Sequence, residues 1–288
     1  MIHSKIRAGS VVFVAINLIF LVLVCSTMII PLWNAVSVSL SSNLSSMQPG
    51  IQMWPRHFSF TGYTTIWNVL DIWKPFENSV IVTVIGTVLH VLLSALAGYA
   101  LAQPQLPARR VITGLILVTM MIPFEAIMIP VYVTMQQLGL LNSLFALILS
   151  GMVSGFSIML MRNFFLSIPG DVLESARIDG AGHFRLFWQI SIPLSKAGLA
   201  TVALFDFVGR WNDILNTILF INDPSKYTLQ VALNSLIGSQ SGSVSSGDLV
   251  TNNVKMAGII IAVLPLIVAY PFVHKYFVKG IFLGASKE

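Results

Sequence analysis

Ser167-Ile-Pro-Gly-Asp-Val-Leu-Glu-Ser-Ala-Arg-Ile-Asp-Gly-Ala-Gly-His-Phe-Arg-Leu-Phe-Trp-Gln-Ile-Ser-Ile-Pro193 is a polar stretch set between two apolar runs, and it holds more of the chain's few charges than any comparable window. It predicts two short helices joined by an Asp179-Gly180 turn. Pro169 suits a first helical position, Gly180 supplies the positive φ of a tight reversal, and Pro193 is expected to stop the second helix. A folded, amphipathic elbow emerging from a membrane protein is a docking element for a soluble partner. Phe184, Phe187 and Trp188 would either lie on the membrane or fill a cleft of such a partner, with Glu174, Arg177, Asp179 and Arg185 pairing across that interface.

The surrounding composition requires a membrane. Hydrophobic residues make up 56% of the 288, charged residues 9%, and mean hydropathy is +0.84; soluble domains carry roughly a quarter charged residues. Apolar runs long enough for a ~30 Å hydrocarbon core fall near 10–32, 76–102, 111–132, 143–163, 197–221 and 256–277. The fold class is therefore all-α integral membrane with six spans. With both termini inside, Lys5, Arg7, Arg109, Arg110, Arg162, Arg177, Arg185, Lys196, Lys275, Lys279 and Lys287 share the cytoplasmic side. Only Arg56, Lys74, Lys226 and Lys255 remain outside, with Arg210 inside a span. Positive charge is retained in the cytoplasm during insertion, so the Glu174 elbow is expected there too. The pI of 9.5 follows from this topology and from anionic headgroups, and nucleic acid is a poor reading of it.

The remaining chain excludes most chemistry. Five histidines, His3, His57, His90, His183 and His274, lack metal-ligand spacing, and no HExxH or serine-nucleophile elbow occurs. The glycine-rich tract 238–247 has no lysine after its glycines, so the chain carries no phosphate-binding loop. Any ATP and Mg must be bound by another polypeptide. The first span is too long for a cleaved signal, and Cys25 follows Val24, which argues against lipidation. No internal repeat supports the inverted-repeat transporters. The segment 33–75 carries Trp33, Trp54, Trp67 and Trp73, residues that favour the membrane interface.

Ionisable groups inside spans are costly and mark packed interiors, wet cavities or paths. Asp206, Arg210 and Asp213 sit at i, i+4 and i+7, within about 60° of one helical face. Arg210 is expected to bridge both carboxylates as an internal clamp; alternatively Trp211, Asn212 and Asp213 line a sugar path. Glu125, between Pro123 and Pro130, is a candidate gate residue, because paired prolines weaken a helix beside a cavity. His90 is expected to hydrogen-bond a neighbouring helix. Gly86, Ser94, Ala95, Ala97 and Gly98 predict close helix contact.

On Glu174, Ser175, Ala176, Gly180, Ile190, Ile192 and Pro193, the elbow resembles the cytoplasmic EAA loop of ABC importer permeases. That loop reads Glu-Ala-Ala, three residues, Gly, nine residues, Ile-x-Leu-Pro. Ser175 and Ile192 depart from it by small or volume-conserving changes. Met161-Arg-Asn-Phe-Phe, Trp211-Asn-Asp, Tyr227-Thr-Leu-Gln-Val and the tail from Lys275 resemble the carbohydrate-uptake branch. The resemblance implies the second permease subunit of a type I ABC importer. Its partners would be a homologous permease, two ATP-binding subunits and an extracytoplasmic solute-binding protein. It also implies ATPase coupling through Glu174, Ser175, Ala176, Asp179, Gly180, Ala181, Phe184, Phe187 and Pro193. Residues 1–75 would form the N-terminal end, first span and outer loop, and 76–288 a core of five spans with the coupling loop at about 167–193. The tracts 161–176 and 219–230 look most like permeases for complex or uronate-containing oligosaccharides, alginate-type chains among them. An ATP-independent secondary transporter or channel, and an exporter permease, are the competing readings.

Overall fold

The computed structural model describes residues 8–69, 71–238 and 250–285. Lys5, Arg7, Lys287 and most of the glycine-rich tract lie outside them, as do the side chains of His274, Lys275 and Lys279. Three single helices are long and apolar enough to cross a membrane: Phe13–Ser39, Trp73–Ala102 and Asn252–Pro271. Counting each of three bent helix pairs as one span gives up to six.

The first break has a local cause. The expected span 111–132 is two helices, Arg109–Met121 and Phe124–Gln137, bent by 101°. Pro123 has no N–H to continue the ladder and forces Ile122 into an extended conformation (ψ 114°). The fourth span breaks between Leu144–Ser150 and Gly155–Leu166, a bend of 53°. The expected span 197–221 also divides, because its helix Lys196–Trp211 ends at Asn212 and resumes only as Leu215–Phe220.

The chain forms two compact units. One gathers the described residues before Asp71 with 235–263. Asn253, fully buried, is its hub, with its Nδ2 donating to Ser41 O (3.0 Å), Asn43 Oδ1 (2.8 Å) and Thr61 Oγ1 (3.2 Å). Trp33 Nε1 donates to Met53 O at 2.7 Å, and Trp33, Trp54 and Trp67 are exposed, as interfacial tryptophans should be.

The second unit, 71–234 with the rest of the last helix, is built around Trp73–Ala102. Gly98 lets the fourth span approach closely: a Cβ there would lie 2.8 Å from Arg162 N. One apolar cluster joins Val82, Met135, Ala146, Leu147, Ile148, Phe220 and Ile221; another joins Ala95, Met161, Phe165, Phe187 and Val202. At one end of the first cluster, Ser225 N and Oγ donate to Asp223 Oδ1 at 3.0 and 2.8 Å. These bonds hold the half-buried Asp223 carboxyl below the usual carboxylate range.

The elbow is helical where expected. Its first helix runs Gly170–Ile178, and Gly180 (φ +82°) makes the reversal, with Ala181 N donating to Ala176 O at 2.9 Å. Pro193, however, does not stop the second helix. The turn Leu186–Ser191 is π-helical and Ile192–Leu194 continues it, so the chain changes direction only at Ser195, with a 78° bend. The widened turn accommodates a residue that lacks an N–H and whose ring crowds the preceding carbonyl. No atom lies within 4 Å of a Cβ built on Gly180, so its requirement is purely one of backbone. Gly180→Val is expected to destabilise the elbow by about 1–3 kcal/mol and Gly180→Asn far less. Limited proteolysis of the elbow in native membranes, faster for valine only, checks this.

Candidate functional site

Two sites emerge from the second unit. In the elbow, Glu174, Ser175, Asp179, Gly180, Phe184 and Pro193 are exposed, and Ala176 and Ala181 are half-buried. Phe187 departs from the expected interface set: at 2% exposure it packs inward on Tyr99 (ring centroids 5.2 Å) and Phe165 (6.3 Å). Phe184 lies in the α-helical turn His183–Arg185 and Phe187 in the π-helical turn Leu186–Ser191 that follows it. The outward apolar surface is instead Ile178, Phe184 and Trp188, with Ile178 86% and Phe184 78% exposed. Ile178 was not singled out by the sequence reading, yet it follows Glu174 by four residues and so shares its helical face.

The elbow is pinned to the end of Trp73–Ala102. Arg177 Nη2 donates to Gln103 Oε1 at 3.2 Å, and Tyr99 OH donates to His183 O at 3.3 Å. A cavity of about 380 Å3 lies beneath, lined by Glu174, Arg177, Tyr99, Gln103 and Ser191 among others. The geometry is that of a rigid part with one anchored face and one presented face.

The second site is intramembrane. Arg210, nine-tenths buried, donates from Nε to Asp206 Oδ2 at 2.8 Å and from Nη1 to Leu147 O (3.1 Å) and Ile148 O (3.2 Å). Those carbonyls belong to the last turn of Leu144–Ser150, Leu147 O also accepting from Ser150 Oγ at 3.1 Å, so the guanidinium caps that helix and opposes its dipole. Gly86 and Gly151 make room: Cβ atoms there would sit 2.6 Å from Nη1 and 2.9 Å from Nη2. His90 Nδ1 faces Gly151 O (2.8 Å) and Asp206 Oδ1 (3.3 Å), both acceptors, so Nδ1 carries the proton; Nε2 then accepts from Ser157 Oγ (2.8 Å). His90 thus bonds a neighbouring helix, as expected.

One expectation changes here. Arg210 does not bridge to Asp213. The helix ends between them, and Asp213 caps Leu215–Phe220 through Asn216 N (3.1 Å) and Nδ2 (2.6 Å). Trp211 is 3% exposed, stacked on Phe207 and edge-on to Phe76. Asn212 is exposed and accepts from Gln230 Nε2 at 3.3 Å. Glu125 stands apart, exposed in the first turn after the 101° bend, where a carboxylate suits a helix N-terminus. No group of His, Cys, Asp and Glu among the described residues is arranged to hold a metal ion.

Residues 90–283 match the family described as binding-protein-dependent transport system inner membrane component. Protein LplC of Bacillus subtilis (strain 168) is 33% identical over 98% of this chain and 96% of its own length. The polygalacturonan/rhamnogalacturonan transport system permease protein YtcP of the same organism is 34% identical over 93% and 96%. Among solved structures, a bacterial ABC transporter involved in the import of the acidic polysaccharide alginate matches with TM-score 0.85 at 29% identity, covering 96% of this chain and 99% of that one.

Proposed function

The chain belongs to the family of binding-protein-dependent transport system inner membrane components, and on that footing we propose that it is one of two permease subunits of an ATP-driven importer of oligosaccharides. It is a transport permease of the inner membrane, and that membership removes the ATP-independent transporter or channel as a reading. Its partners are a homologous permease, two ATP-binding subunits that hold ATP and Mg, and an extracytoplasmic solute-binding protein. The substrate class is complex oligosaccharides, alginate-type and pectin-type chains included, in keeping with the similarity to YtcP and to the alginate importer. Both termini and the elbow are cytoplasmic, following the distribution of Lys and Arg.

The observation that carries the coupling role is the division of the elbow's two faces. Ile178, Phe184 and Trp188 stand exposed beside Glu174 and Asp179, while Phe187 is locked into the bundle. The exposed face is a hot-spot arrangement, aromatic residues rimmed by charge, and the locked face transmits movement. Closure of the paired ATPase subunits would then rock the spans that the elbow joins.

Phe184→Asp tests this without touching the core, because that ring is solvent-exposed. Affinity purification of the permease pair in detergent is expected to lose the ATP-binding subunits, while the pair itself stays assembled. Full retention of those subunits would refute a coupling role for this face.

A further inference from the structure

Arg109 and Arg110 open the helix Arg109–Met121 and line a cavity of about 500 Å3 with Pro104, Leu106, Ala108 and Val111. We propose that this cavity binds the phosphate headgroup of an anionic phospholipid, whose acyl chain lies along the helix that follows. That the lipid comes from the cytoplasmic leaflet rests on the orientation proposed above; the preference for an anionic headgroup does not.

Charge is the first reason. Both guanidinium groups are permanently cationic, and neither meets a carboxylate in any ion pair among the described residues. The described lining of the cavity holds no acidic residue, and the first turn of the helix has none either. Two cations there repel each other and also lie at the positive end of the helix dipole, which disfavours them. An anion from outside the chain relieves both repulsions. A guanidinium grips phosphate oxygens through paired N–H donors, and basic pockets at the cytoplasmic ends of membrane helices take phospholipid headgroups.

The apolar half of a lipid has its place as well. No residue of Arg109–Met121 is buried. Val111, Leu115 and Val118, at i, i+4 and i+7, share one face of the helix and are 63%, 62% and 55% exposed. That stripe starts at the cavity wall, since Val111 belongs to both, and runs about 10 Å along the span. A soluble phosphate would engage the arginines and leave the stripe bare. A phospholipid covers the two together, with its charge on Arg109 and Arg110 and its chain on the apolar face.

The test measures, by native mass spectrometry of the detergent-purified permease complex, the dissociation constants of phosphatidylglycerol and phosphatidylcholine with matched acyl chains. The wild-type complex is expected to hold phosphatidylglycerol about thirtyfold more tightly, the effect of two interfacial arginines. Arg109→Gln/Arg110→Gln should bring the ratio to about threefold or less. Lys196→Gln, which removes an exposed cation elsewhere, should leave it unchanged. A phosphatidylglycerol carrying a photoactivatable group in its upper acyl chain should label residues 111–118. Equal wild-type affinities, an unchanged ratio in the double variant, or a loss as large in Lys196→Gln would each overturn the site. Displacement by millimolar inorganic phosphate would overturn its assignment to a lipid, as would absence of labelling at 111–118 because the homologous permease covers that face. Labelling of Arg109→Cys by a membrane-impermeant thiol reagent from the outer side alone would instead overturn the proposed orientation and leave the binding ratio intact.

Discussion

Arg210→Leu is expected to cost about 3–5 kcal/mol and to deplete the chain from the membrane fraction, because it strands the Asp206 carboxylate in an interior built to neutralise it. Three losses coincide: the 2.8 Å ion pair, and both bonds that cap the last turn of Leu144–Ser150. The double variant Asp206→Leu/Arg210→Leu removes the stranded charge and should recover part of the loss, since a buried pair replaced by apolar residues is often close to neutral. Its recovery will be incomplete, because the carbonyls of Leu147 and Ile148 lose the guanidinium, although Leu147 O keeps its bond from Ser150 Oγ. Thermal unfolding of the purified chain in detergent measures both variants. A single variant as stable as the double would show that Asp206 does not depend on Arg210.

The second large effect concerns the elbow's hidden face. Phe187→Ala removes a ring that is 2% exposed and touches both Tyr99 and Phe165, a cavity-forming change of about 3–5 kcal/mol. Much of that cost falls on the attachment of the elbow, since Tyr99 also holds His183 O. The exposed face with Ile178 and Phe184 is left intact, so the ATP-binding subunits should still co-purify. ATP hydrolysis is then expected to continue while uptake in proteoliposomes collapses, the signature of a lever cut from its load. Phe184→Asp should give the opposite pattern, with loss of the ATPase subunits themselves. Normal uptake by Phe187→Ala would mean that force passes through the first elbow helix instead.

Much of this organisation was legible in the residues. Hydropathy alone located six apolar stretches, since hydrocarbon requires long runs of apolar residues with satisfied backbones. Gly180 announced its own turn, and the φ of +82° is one that glycine adopts without penalty. Pro123 marked a weak point, but a proline specifies only its own φ and its predecessor's preference; the 101° bend depends on what each half packs against. Pro193 misled for the same reason, as a π-turn absorbed it without ending the helix.

Side-chain partnership was harder to read. Helical spacing put Asp206, Arg210 and Asp213 on one stripe, which is correct only while the helix continues. Once it ends at Trp211, Asp213 swings into the service of the following short helix and Arg210 finds carbonyls some 60 residues earlier in the chain. Phe184 and Phe187 are alike in composition and neighbourhood, yet one is 78% exposed and the other 2%.

The amino-acid sequence by itself determined that this chain spans a membrane, which stretch folds as a polar elbow, and which permease family it joins, because these rest on local composition and on short patterns. Only the tertiary structure decided which aromatic ring anchors that elbow and what Arg210 holds. Those outcomes depend on groups far apart in the chain meeting within about 3 Å, and a hydrogen bond is lost over an ångström that no spacing along the sequence can specify.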